Sequence, residues 1–299
     1  DRRDVSIKHL DRYDNGRRRN IHETAFGGEL NVREKRCSRC DAPRGTINSI
    51  HRQNWSSALM SLYHDCEYPI RQELETAHAQ TLASFSQSGA WWNGEQRASI
   101  VSEARDARCR AGLQDQAVAD PTTVEVPDVA KRVARQVAVS TNDLEHGFYV
   151  KAIDDGLYDG QYVEIVGIVS RLTNLDVFAR GIGVAPRLLA EPESKAPSNV
   201  RPVTAIKEGA WVDSIPGGRR GKDEAIYTYD SKAVEGAPFI YRALSLVPEE
   251  AKGLIALGKA QYLKIADFMD LDFSYDPDMT RAQIELLAAR VSAINECFY

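Results

Sequence analysis

The longest unbroken apolar pattern lies in YDGQYVEIVGIVSRLTNLDVFARGIG, Tyr158 to Gly183, where Ile165, Ile168, Val169, Leu172, Leu175 and Phe178 recur along the run. Its β-branched content suits a strand, but its length predicts a buried helix. Shorter amphipathic patterns precede it. WSSALMSLYHDCEYPIRQELETAHAQTLASFSQSG places Leu59, Leu62, Tyr63, Ile70, Leu74, Leu82 and Phe85 at helical spacing, predicting two helices with Pro69 at a start or kink. NGEQRASIVSEARDARCRAGL offers Asn93 with Gln96 as a capping box and Gly112 as a stop. Val129, Ala130, Val133 and Val137 share one face of PDVAKRVARQVAVS, with Pro127 in the first turn. STNDLEHGFYVKAIDDG reads as one helix capped by Ser140 or Thr141 and closed at Gly156.

Residues 184–247 break this texture. Pro186, Pro192, Pro197, Pro202 and Pro216, with GAWVDSIPGGRRGKDEA, predict a long irregular connector between a first helical half at 49–183 and a second at 248–299. The second half opens with Pro248 in a first turn and Glu249 and Glu250 favourable at a helix N-terminus, and its apolar face runs through Leu254, Leu257, Leu263 and Ile265. The last helix starts at Thr280, with Gln283 completing a capping box and a stripe of Ile284, Leu287, Ala288, Val291 and Ile294. The fold class expected is all-α. NGEQRASIVSEARDARCR and MTRAQIELLAARVSAINECF also align with small and apolar positions in step, a faint signal of tandem duplication.

Charge narrows the partners. A net charge of -5 and a pI near 5.8 argue against binding a phosphate backbone, so nucleic acid is not expected. No run approaches the roughly 18 to 20 apolar residues of a membrane span, and the N-terminus lacks a secretory pattern, so a soluble cytoplasmic chain is expected. Residues 1–48 are rich in Arg, Asp, Asn and Gly and read as disordered or as a foreign extension. The five cysteines are odd in number and scattered, unlike a disulfide framework. CSRC, Cys37 to Cys40, has half the ligands of a zinc site; with only His51 as a further candidate it reads as an incidental pair, and no metal is expected. Cys66 and Cys109 fall within helical patterns and read as core residues. His64 and His78 lie fourteen residues apart and can share a helix face, and Trp91 and Trp92 read as anchors of the helix that follows them. The chain begins with Asp and is expected to be a processed or partial sequence.

One spacing carries chemistry. Glu285 is followed by eleven residues and then Cys297. On the segment SYDPDMTRAQIELLAARVSAINECFY this arrangement resembles the AhpD-like alkylhydroperoxidases and the wider carboxymuconolactone decarboxylase family. That family's pattern is Glu, eleven residues, Cys-x-x-Cys and a His four residues on, and Tyr299 stands one position before its second cysteine. The pieces HRQNWSSALMSLYHDCEYPI, GAWWNGEQRASIVSEARDARCRAGL and YVEIVGIVSRLTNLDVFARGIG are similar to the longer, two-part members, so the likeness covers about residues 50–299. The resemblance implies an AhpD-like helical bundle, a homo-oligomer, and reduction of hydroperoxides through a cysteine pair regenerated by a dithiol or lipoyl-type reductant, with no metal or haem cofactor. It makes Cys297 the thiol and Glu285 the relay carboxylate. Cut before the second cysteine, such a chain is expected not to turn over.

A peroxide is cleaved by a thiolate, which requires an environment that favours the anion. Asn295 is placed to cap a new helix at Glu296, which would set Cys297 in a first turn among free amides. On one unbroken helix the twelve-residue step from Glu285 to Cys297 spans about 18 Å, so the chain has to turn near Ile294 and Asn295 for a relay. Two rivals remain: a decarboxylase-type lactone enzyme on the same fold, and a non-catalytic helical binding subunit.

Overall fold

The computed structural model describes residues 61–115, 118, 124–229, 239–264, 267, 270–275 and 278–297. The 1–48 extension, the Cys37–Cys40 pair and His51 lie outside the described residues. The fold is all-α, with nine α-helices and no sheet among the described residues. These are α1 (Gln72–Ser84), α2 (Gly94–Arg110), α3 (Asp128–Val139), α4 (His146–Asp154), α5 (Asp159–Gly181), α6 (Lys222–Tyr229), α7 (Phe239–Arg242), α8 (Pro248–Gln261) and α9 (Arg281–Ile294). Among the described residues no helix is long and apolar enough to cross a membrane.

Helix α5 is the axis of the molecule. It buries residues around its whole circumference, from Ile165, Ile168 and Leu172 to Glu164, Arg171 and Asp176, as a helix with no clean polar face must. Helices α2, α3 and α8 pack directly on it, and α1 packs on α8. Phe85, Trp92, Ile100, Val133, Ile165, Ile168, Leu172 and Leu257 meet in one core. Each such buried aliphatic or aromatic side chain contributes about 1.5–3 kcal/mol. Helix α2 begins with the predicted box: Gln96 N–H donates to Asn93 Oδ1 at 2.8 Å and Asn93 N–H to Gln96 Oε1 at 3.0 Å. It stops at Gly112, whose φ of +71° lets Leu113 N–H reach Arg108 O at 2.9 Å.

Other segments differ from the sequence expectation. Residues 61–71 form turns rather than a helix, and α1 starts only after Pro69, at Gln72. The helix expected over 140–156 is split into a 3-10 turn, Thr141–Asp143, and α4. Ser140, Thr141, Asn142 and Asp143 are residues that compete with helix for backbone hydrogen bonds. Residues 184–217 are irregular apart from one antiparallel bridge between Ile206 and Ser214, but the following stretch supplies a 3-10 turn, α6 and α7. Its end is core: Leu244, Leu246 and Val247 pack with Val163 of α5 and Ala251 of α8. Pro248 starts α8, where a missing N–H costs nothing.

Helix α9 carries the largest departure. Its capping box forms, with Thr280 N–H donating to Gln283 Oε1 at 2.8 Å, yet its apolar stripe does not reach the core. Leu287, Val291 and Ile294 are 59%, 57% and 62% exposed, and Arg281 is the one buried residue of the helix. Arg281 Nη1 donates to Asp267 O and Asp270 O at 3.2 and 3.0 Å, so polar bonds rather than packing tie down its first turn. The segments aligned as a duplication, α2 and α9, share a capping box and opposite burial.

Candidate functional site

Glu285 projects from the second turn of α9 and is half-exposed. It accepts a hydrogen bond from Tyr262 Oη at 2.7 Å and one from Arg281 Nε at 2.6 Å. The Tyr262 hydroxyl and then the Arg281 guanidinium hold its carboxyl below the usual range. Reciprocally, burial and the bond to Glu285 push Tyr262 up to about 12.

Cys297 lies elsewhere. Asn295 is the C-cap of α9, Glu296 takes a left-handed φ of +52°, Glu296 N–H donates to Ala293 O at 3.3 Å and Cys297 N–H to Ser292 O at 2.9 Å. These two bonds are a Schellman ending, formed here without glycine. The chain does turn at the predicted place. The turn ends one helix and does not begin another, so Cys297 meets the last carbonyls of α9 instead of a set of free amides. From Glu285 to Ile294 the helix is continuous and rises about 14 Å, and the structure does not bring the carboxylate to the thiol. Cys297 is exposed, Cys109 is buried as expected, and Cys66 is half-buried in a turn, outside any helix, with Sγ 3.8 Å from Ile182 O. His64 is exposed in a turn while His78 is buried in α1, so they share no face.

The densest chemistry is in the interior, at residues sequence reasoning passed over. Arg97 of α2 pairs through Nη1 with Glu164 of α5 and through Nη2 with Glu250 of α8, the latter at 2.9 Å. Glu250 also pairs with Arg171 of α5. All four side chains are at most 3% exposed, and their formal charges cancel. Trp91 N–H donates to Glu164 Oε2 at 2.7 Å, so the tryptophan pair before α2 does anchor that helix. Burial pushes Glu164 upward, to about 7, against the single guanidinium of Arg97 and with the added repulsion of Glu250. Burial acts the same way on Glu250, but Arg171 and Arg97 together outweigh it and hold Glu250 down. Glycines clear the space: a Cβ on Gly89 would strike Glu164 and Arg97, and one on Gly167 would lie 2.6 Å from Glu250 Oε2. Glu164 titrates in the range useful to a general acid or base, but with no exposed surface it acts as a clamp between helices.

A second buried chain joins α1 to α8. His78, wholly buried, has Nδ1 2.6 Å from Tyr63 Oη and Nε2 2.8 Å from Gln261 Nε2. With the Gln261 amide donating, neutral His78 carries its proton on Nδ1 and donates to Tyr63. Burial lowers His78 to about 4, with Glu75 pulling weakly the other way. The rings of Tyr63 and Phe178 stand edge-on to it. Among the described residues no cluster of three His, Cys, Asp or Glu is placed to hold a metal.

The signal for the buried quartet was present in the sequence: Glu164 and Arg171 are isolated charges two turns apart inside the most apolar segment, and such charges need partners. Which partners they take was not readable. Comparison with family models, curated proteins and solved structures gives no match.

Proposed function

We propose that the chain is an AhpD-like oxidoreductase that reduces organic hydroperoxides, with Cys297 as the attacking sulfur; Glu285, at the other end of α9, is not within reach of that thiol to act as its relay. The supporting observation is a solvent-exposed thiol just past the turn that ends α9. In the reaction the thiolate attacks a peroxide oxygen, the O–O bond breaks, the alcohol leaves with a proton, and sulfur becomes a sulfenic acid. A second thiol then condenses with loss of water, and a dithiol or lipoyl-type reductant restores the pair. The exposed stripe of Leu286, Leu287, Val291 and Ile294 supports assembly as a homo-oligomer.

The test is stoichiometric oxidation by cumene hydroperoxide followed by dimedone trapping and mass spectrometry. Cys297 should label faster than Cys66, and Cys297→Ser should abolish that label. One observation favours a second reading, a non-catalytic helical subunit: the Schellman ending ties the Cys297 amide to a carbonyl of α9 and opens no new helix whose free amides would favour a thiolate. That reading predicts labelling at Cys297 no faster than at a small free thiol, an outcome that removes the peroxidase assignment.

A further inference from the structure

Helix α2 buries three arginines, Arg97, Arg105 and Arg108. Arg97 meets Glu164 and Glu250, and Arg105 holds Asp176 of α5 with Nε and Nη2 at 2.9 and 2.8 Å. Arg108 differs. It is 6% exposed, and the ion pairs found for the arginines of α2 among the described residues are those of Arg97, Arg105 and Arg110. Nη1 donates to Ala138 O at 3.2 Å and Nη2 makes a long contact with Leu113 O at 3.5 Å, while Nε is buried without a partner. A guanidinium so placed has given up water, and among the described residues its nearby opposite charge is Asp176, which Arg105 already binds through two hydrogen bonds, so an added anion would find a cation without a carboxylate of its own.

Arg108 lines a cavity of about 190 Å³ where the ends of α2 and α5 meet. Two other ion pairs border it, and both are closed: Asp176 is taken by Arg105, and Asp115 by Arg180 Nε at 3.1 Å. Among the described residues that line the cavity, what remains is the positive charge of Arg108. The lining also includes the apolar Leu113, Val184, Ala185 and Pro186.

We infer that this cavity is a binding site for a small organic monocarboxylate, its carboxyl group on Arg108 and its carbon skeleton against Val184 and Pro186. One residual charge matches a monoanion. The carboxylates of Asp176 and Asp115 at the rim repel a doubly charged ion such as phosphate, and a hydrated inorganic ion gains nothing from the apolar lining. The site does not depend on the thiol reading.

Titration calorimetry with butyrate and benzoate on the full chain tests it, with butyramide and inorganic phosphate as the uncharged and dianionic arms. A carboxylate should bind saturably, with butyramide and phosphate each at least about tenfold weaker. Arg108→Met should weaken carboxylate binding by at least about tenfold. Ala185→Phe, which adds bulk at an exposed residue lining the cavity, should do the same in a chain whose circular dichroism and melting are unchanged. Cys297→Ser should leave carboxylate binding as it was. Binding that survives both cavity variants, phosphate binding as tight as butyrate, or no carboxylate binding at all overturns the inference.

Discussion

Glu164 and Glu250, on helices packed side by side, divide one guanidinium between them: Arg97 gives Nη1 to the first and Nη2 to the second. The two acids are not equivalent. Glu250 has a second cation in Arg171, whereas Glu164 has a backbone amide from Trp91. This asymmetry sets their protonation in opposite directions and makes the quartet a testable unit.

Glu250→Gln removes the charge that two buried guanidiniums share, and the expected cost is about 3–5 kcal/mol of unfolding free energy. Glu164→Gln should cost clearly less, because burial already favours the neutral acid there and an amide oxygen can still accept from Trp91 N–H. Urea unfolding at pH 7 compares the two. Equal costs would mean that Glu164 is as firmly ionised as Glu250.

Two glycines of α8 should respond to alanine with opposite signs. A Cβ at Gly253 would lie 2.6 Å from Arg171 Nη1, which donates to Ser84 Oγ at 3.1 Å on a guanidinium that Glu250 holds through Nη2, so Gly253→Ala should destabilise. A Cβ at Gly258 meets nothing within 4 Å, so Gly258→Ala should add about 0.5–1 kcal/mol through helix propensity alone. Thermal melts of the pair check this, and stabilisation by Gly253→Ala would show that Arg171 is free to move aside.

His78 should make the fold acid-sensitive. Its folded value of about 4 lies below the ordinary 6.5, so between these limits the unfolded chain binds the proton more readily. Stability from this group is complete above pH 6.5 and is lost as pH falls towards 4, by roughly 3 kcal/mol. Glu164, shifted upward, acts with the opposite slope, so the useful quantity is the difference between the native chain and His78→Gln, which keeps partners for Tyr63 and Gln261. If urea midpoints of the two proteins run parallel from pH 7 to 4.5, the imidazole is not buried neutral.

What could be read from residues alone was what is local. The capping boxes at Asn93–Gln96 and Thr280–Gln283, the stop at Gly112, the proline start of α8 and the burial of α5 each depend on neighbours within a few turns, and each is found in the structure. The split at 140–156 was less legible because short polar side chains compete for the backbone there.

Tertiary structure decided the rest. An amphipathic stripe states that a face is apolar and not what covers it, so α2 is enclosed while α9, with as regular a pattern, lies open. The charges within α5 announced a need for partners, but Arg97, Arg105 and Glu250 reach them across long stretches of chain. Spacing put Glu285 and Cys297 in one motif, and the hydrogen bonds that close α9 set them at opposite ends of a helix. Helix caps form from nearest neighbours, whereas burial and charge pairing are settled only when distant segments meet.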